Sequence, residues 1–299
     1  MKLKLLIAFV LASVVVGVMA ILLPHYYYVP VQNAQSVNHP AEQVSIPPQF
    51  PEESLFLTPI KFATGTVSSQ TVTGISVPHH LLARNLIAQA FRFASAGNYS
   101  EVLLVSPDHF YLGTTNVSVS SSNFSTVFGT LQADVQGADN LKQLPFVSEQ
   151  SFFYREHGLG AELPFIKYYF PNAKIIAVTF KESTPKAEVD EVIDKLKIYL
   201  PATTLVVQST DFSHYLTPAN ADTHDQQTLQ VLYSGNPQKL WQLMQPDNID
   251  SLAAQYLQSR LQQELFHSRL IILAHKNSQD YTTEKVTSST SYIVQGYVK

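Results

Sequence analysis

"TTLVVQSTDFSHYL" (Thr203–Leu216) decides how the chain is read. Its first half is an apolar run with β-branched residues, as a buried strand would have. Its second half places Asp211 and His214 three residues apart, among small hydroxyl residues and two aromatics, at the point where that strand would end. An acid and an imidazole at a strand mouth raise one question: which other histidines reach the same place.

The same strand signature recurs along the chain. "GISVP" (Gly74–Pro78) and "EVLLVSP" (Glu101–Pro107) are short apolar runs closed by proline, and "AKIIAVTF" (Ala173–Phe180) is another. "TSYIVQGYV" closes the chain as a final strand. Between them lie helical patterns: Leu82, Leu86, Ala90 and Phe93 repeat at helical spacing before Gly97. Val189, Ile193, Leu196 and Leu200 share a second helical face, with Thr184 placed to cap it ahead of Pro185. A long helical stretch is predicted from about Pro218 to Leu265. Strands alternating with helices, the strands nearly all apolar, predict an α/β fold: a central, mostly parallel sheet flanked by helices. In such sheets ligands gather at the carboxyl ends of the strands.

Composition narrows the function classes. Charged residues make up 14% of the 299 and apolar ones 45%, enough for a substantial core. The net charge of −4, with no Lys/Arg run, leaves no electrostatic footprint for a nucleic-acid partner. Cysteine is absent, which excludes disulfides, thiolate metal sites and a cysteine nucleophile. No G-x-S-x-G elbow, P-loop or dinucleotide fingerprint occurs.

The amino terminus reads separately. Lys2 and Lys4 precede an uncharged run from Leu5 to Leu23, roughly 28 Å long as a helix and close to the ~30 Å hydrocarbon core. Residues 1–24 are therefore expected to be a signal anchor. The membrane partner is this single helix, and the remainder lies on the extracytoplasmic side. The alternative is a signal peptide cleaved near Val18-Met19-Ala20, leaving a secreted protein. Residues 25–53, rich in Pro, Gln, Asn and Ser, read as a spacer, and residues 54–299 as the α/β domain.

Three histidines come after the clearest strands: His79 after "GISVP", His109 after "EVLLVSPD", and His214 after "TLVVQSTDFS". His79 is favoured over His80 because it follows the proline directly. His267, in "QELFHSRLIILAH", precedes another apolar run and is a fourth candidate. Converging neutral imidazoles suit Fe, Zn, Cu or Ni and suit Mg or Ca poorly. His25 and His39 fall in the spacer, His224 lacks a strand-end context, and His275 reads as part of a surface turn. In "FFYREHGLGAELPFIKYYFP", Glu156, His157 and Glu162 have two readings. They are ordinary loop and helix-start residues, or they form a supporting shell in which carboxylates orient ligand histidines.

These segments together resemble the Memo-like family, known in prokaryotes as AmmeMemoRadiSam system protein B. "VPHH", "VLLVSPDHF", "EHGLGAELPFIKYYFP" and "VVQSTDFSHYL" occur in the family's order, and the resemblance spans roughly residues 55–299. It implies a fold similar to that of class III extradiol dioxygenases, with a metal-type pocket at strand ends. It also puts His79 and His109 on metal-ligand positions and His214 on the catalytic one; Asp211, three residues before it, either orients His214 or caps the following turn. The remaining position, commonly Cys in the family and Glu in the dioxygenases, is assigned to His267, which would leave the site one negative charge short. The resemblance thus implies a Memo-like protein with a His-rich metal pocket. As an enzyme it would be an iron-dependent, dioxygenase-like oxidoreductase acting on a small molecule, with Fe(II) favoured and Zn or Cu as alternatives. The alternative is a non-catalytic module that binds a metal or a peptide.

Overall fold

The computed structural model describes residues 45–299. The strands are β1 (Ser45–Ile46), β2 (Val72–Val77), β3 (Glu101–Pro107), β4 (Val117–Ser120), β5 (Asn123–Thr126), β6 (Gly129–Leu131), β7 (Val147–Glu149), β8 (Lys174–Phe180), β9 (Thr204–Ser209), β10 (Arg269–Asn277) and β11 (Ser291–Val298). The helices are α1 (Ser54–Lys61), α2 (Arg84–Ala94), α3 (Val135–Leu141), α4 (His157–Gly160), α5 (Leu163–Tyr169), α6 (Lys186–Tyr199), α7 (Pro218–Tyr233) and α8 (Leu252–Leu261). Eight strands form one sheet in the order β10-β11-β2-β9-β3-β8-β4-β7, and β1, β5 and β6 form a smaller one.

The centre of the large sheet, β2-β9-β3-β8, is parallel throughout. β11 and β4 run antiparallel against its two sides. The central strands are buried on both faces, which is why they read as unbroken apolar runs instead of alternating ones. Their alternation still sorts side chains. Leu205 and Val207 join one core, with Phe56, Phe91 and Phe165 of α1, α2 and α5. Val206 joins the other, with Ile193 of α6 and Leu257 of α8.

The two faces differ in chemistry. The α2/α5 face is aromatic, with Phe91 stacked on Phe165 at 5.6 Å. The α8 face carries buried amides: Gln255 and Gln262 meet Gln208, Gln295 and Thr73, and Gln258 donates to the carbonyls of Ile75 and Val206. Gln262 bonds Thr73 twice, accepting from its hydroxyl at 2.6 Å and donating to its carbonyl at 3.1 Å. Gln295 donates to Gln255 at 2.8 Å, and Ser76 donates to Gln208 at 2.7 Å. An unpaired buried amide is destabilising, and mutual pairing makes this face tenable.

Several sequence expectations change. The helix expected from Pro218 to Leu265 is broken: α7 ends at Tyr233, a 3₁₀ turn spans Pro237–Gln242, and α8 starts at Leu252 with Ser251 as its cap. Gly235, with φ of 62°, and two prolines account for the interruption. Thr184 does not cap α6, because its hydroxyl donates to the carbonyls of Lys181 and Asn116. Ser45 and Ile46, expected in the spacer, pair with β5.

The localisation expected from the amino terminus is corrected. Among the described residues no helix is long and apolar enough to cross a membrane. The run Leu5 to Leu23, on which both the anchor and the cleaved alternative rest, lies outside the described residues, as do His25 and His39. No membrane placement stands on the described chain.

Candidate metal centre

Each loop at the carboxyl end of the parallel strands is shaped by its own residues. Pro78 ends β2, and the next residue, His79, donates its backbone N–H to Asp211 Oδ1 at 3.1 Å. Pro107 ends β3, and the Asp108 carboxylate then accepts from the N–H groups of Leu112 (3.0 Å) and Gly113 (2.9 Å), turning the chain so that His109 stands at the rim. After β9, Asp211 and Asp250 clasp each other. Asp211 N–H donates to Asp250 Oδ2 at 3.1 Å, and Asp250 N–H donates to the Asp211 carbonyl at 3.1 Å. A bridge between Phe212 and Ile249 sets that clasp.

These loops bring His79, His109 and His157 together, with a potential ligand atom from each within 4.8 Å of the others. Ring centroids are 4.6 Å apart for His79–His109 and 4.0 Å for His109–His157. Asp250 completes the group: its Oδ2 is 3.2 Å from His79 Nε2 and 3.6 Å from His109 Nε2. Its other oxygen, Oδ1, is buried with no hydrogen-bond partner.

Glu156 supports this arrangement from behind. It is fully buried and accepts from His109 Nδ1 at 2.6 Å, from His109 N–H at 3.0 Å and from Gly158 N–H at 2.9 Å. A carboxylate on Nδ1 holds the His109 ring and leaves Nε2 facing Asp250. His79 Nδ1 meets the Ser209 hydroxyl at 3.2 Å. Gly158 is required by close approach, since a Cβ there would fall on Ser106 Oγ.

The electrostatics divide the imidazoles. Burial, and then the neighbouring His109 and His157, hold His79 well below the ordinary histidine value. Burial also acts to lower His109, but Asp250 and Glu156 outweigh it and bring it up to about 10. His157 is lowered by burial and by His109. Asp211 is raised well above the carboxylate range by burial and by the charge of Asp250. Two like charges in one buried clasp repel each other too strongly for both to be ionised.

Sequence candidates divide accordingly. His79 and His109 are brought together, and His157, read as a supporting residue, joins them. Asp211 engages His79; among the described residues no hydrogen bond joins it to His214. His214 has its Nδ1 against the Phe212 carbonyl and lies near enough to His79 and His80 for their charges to repel. Glu162 is buried and makes no hydrogen bond to an imidazole.

His267 is not at this site. It is exposed, with Nδ1 on the Gln263 carbonyl at 3.1 Å, just ahead of β10. β10 runs parallel to β2 through β11, and the register Arg269–Val298–Val72 places its start at the amino end of β2. A residue before such a strand sits at the opposite end of the sheet from His79. The residue that sequence reasoning missed is Asp250, hidden in a segment read as helix; "QPDNIDS", with its proline and capping serine, is the signal that marks the break. His275 is also no surface-turn residue: it lies within β10, and its Nε2 donates to buried Asp225 at 2.7 Å. A cavity of about 330 Å³ lies at the far end of the sheet, beside Gln262, Ser268 and Tyr297. No histidine or carboxylate lines it, so it lacks the donors of a metal site.

The family model and the curated relatives agree on the family. Residues 55–295 match the family described as Memo-like protein. A "MEMO1 family protein" of Thermotoga petrophila is 22% identical over 224 residues, covering 73% of this chain and 80% of that one. One from Metallosphaera sedula is 21% identical over 235 residues, covering 75% and 82%. A solved Escherichia coli K12 chain, titled uncharacterized protein JW3007, is 13% identical with a TM-score of 0.45, covering 75% of this chain and 99% of that one. With four motifs in order and a family match over most of its length, this chain belongs to the Memo-like protein family.

Proposed function

We propose that this Memo-like protein binds a first-row transition metal through His79, His109 and Asp250 and uses it to oxidise a small substrate with dioxygen as the oxidant. The observation that carries the reading is the position of Asp250 Oδ2, within 3.2 and 3.6 Å of the Nε2 atoms of both histidines. Two imidazoles and one carboxylate are the donor set of non-haem Fe(II) oxygenases, and Asp250 supplies the anion that an assignment to His267 lacks. The donors fit such an ion: Asp250 Oδ1 is a buried carboxylate oxygen with no partner, the His79 imidazole is held neutral, and His109, which holds its proton against Asp250 and Glu156, would release it on binding. When bound, the metal would supply Lewis-acid and redox chemistry with open positions for substrate.

The chain's own residues have distinct tasks. Glu156 fixes the His109 ring, and Ser209 fixes that of His79. His157, kept neutral beside them, is a third donor or a proton acceptor at the rim. His214 acts as acid/base from the β9 loop, its Nδ1 turned to the Phe212 carbonyl.

A second reading is a non-catalytic module that grips a peptide or aromatic ligand. Tyr111 and Tyr215 favour it. Both adopt left-handed backbone (φ 53° and 60°) in the loops carrying His109 and His214, and both residues are more than half exposed.

Elemental analysis of the purified full chain tests the first reading. Near-stoichiometric iron, retained in His267→Asn and lost in Asp250→Asn and in His79→Ala/His109→Ala, is the expected result. Equal metal in all of them, or in none after anaerobic Fe(II) loading, overturns it.

A further inference from the structure

Glu162 lies where α4 and α5 meet, with its N–H on the Leu159 carbonyl and its own carbonyl bonded by Ile166. It is fully buried, and neither carboxyl oxygen has a hydrogen-bond partner. It stands four residues beyond Gly158, whose own face packs against Ser106 of β3.

Below that face three strands present hydroxyls. Leu205 and Val207 line the aromatic core, so alternation turns Ser209 the same way; the same holds for Leu104 and Ser106, and for Ala177 and Thr179. Ser106 pairs with Thr179, and Val105 with Gln208, which brings Ser209, Ser106 and Thr179 to one level across β9, β3 and β8. All three are fully buried. Thr179 Oγ1 has no partner, Ser106 donates only to its neighbour's carbonyl, and Ser209 reaches His79 Nδ1.

The group acting on Glu162 besides burial is a second carboxyl, Asp211, and among the described residues no cationic side chain offsets the two effects on Glu162. A bare carboxylate there would face desolvation beside another buried acid. We propose that Glu162 is a neutral carboxylic acid in a closed, water-holding compartment behind the imidazole cluster, and that it serves the site as an internal proton reserve. Burial and Asp211 support this by raising its hold on the proton. A polar space with several unpartnered buried atoms is where structural water resides. The service to the site rests on the metal-centre reading; the neutral carboxyl and its water do not.

Infrared spectroscopy of the full chain tests both. Glu101, also raised, to about 8, is removed from the signal by Glu101→Gln. In that background at pH 7 we expect a glutamic-acid carbonyl band at the frequency of a hydrogen-bonded acid. It should shift on ¹³C-glutamate labelling, disappear in Glu162→Gln and move in D₂O within hours. Should Glu162→Gln fail to fold, the isotope shift carries the assignment. Absence of the band means an ionised Glu162 and overturns the proposal. A frequency typical of an unbonded acid overturns the water, and a band unmoved by D₂O overturns the reserve. None of these outcomes depends on metal content.

Discussion

Two fully buried carboxyls, Asp225 and Glu162, stand in opposite circumstances. Asp225 uses every acceptor it has: Oδ1 takes the hydroxyls of Ser213 and Ser291, both at 2.7 Å, and Oδ2 takes His275 Nε2 at 2.7 Å. Glu162 uses none. The first is a carboxyl held by three partners, and it ties α7, β10, β11 and the His214 loop into one knot. The second carries polar atoms that its surroundings decline to satisfy, with the buried Asp211 as the group that acts on it. A buried carboxyl with both oxygens paired marks architecture, while one with neither paired calls for a partner such as water.

The contrast is tested most severely at Asp225. Asp225→Ala should destabilise the chain by about 3 kcal/mol, since it strips the partner from three buried or half-buried donors. Chemical denaturation measures this, and a loss no larger than that of a surface variant would remove the architectural reading. A subtler effect is the pH dependence of the same knot. His275 is raised above its ordinary 6.5, first by its hydrogen bond to Asp225 against the effect of burial, then by the charges of Asp225, Asp222 and Asp280. Its contribution is fully present below pH 6.5 and is lost as pH rises through the folded-state value. The melting-temperature difference between the natural chain and His275→Gln should therefore shrink on going alkaline; a constant difference contradicts the ion pair. The smallest effect belongs to His267. His267→Asn, at an exposed left-handed position that Asn tolerates, should change stability by no more than about 0.5 kcal/mol in the same denaturation measurement.

The unequal visibility of these features in the sequence has physical causes. The central strands are legible because burial on both faces leaves an uninterrupted apolar run, and proline marks where β2 and β3 stop. His79 and His109 are legible for the same reason. His157 and Glu156 look like an ordinary helix start, because their role depends on α4 being laid against β3, which Gly158 permits but does not announce. Asp250 is obscured by a segment whose composition suits helix on both sides of a break. His267 is misplaced because an apolar run after a residue says nothing about which end of the sheet the run begins at; only the β10-β11-β2 register does. Asp225 and His275 are fifty residues apart, a pairing with no local signature.

The amide-lined face of the sheet has a mechanical consequence. Helices packed through aliphatic side chains can creep by fractions of a turn, since one methyl contact replaces another with little loss. Paired glutamines cannot: a slip of α8 would break the Gln262–Thr73 and Gln255–Gln295 bonds together and strand each partner in a dry interior. The helix is thus indexed to the strands like a rack to its pinion. Asp250 sits two residues ahead of its first turn, so the tolerance of that gearing is handed directly to the carboxylate that faces two imidazoles.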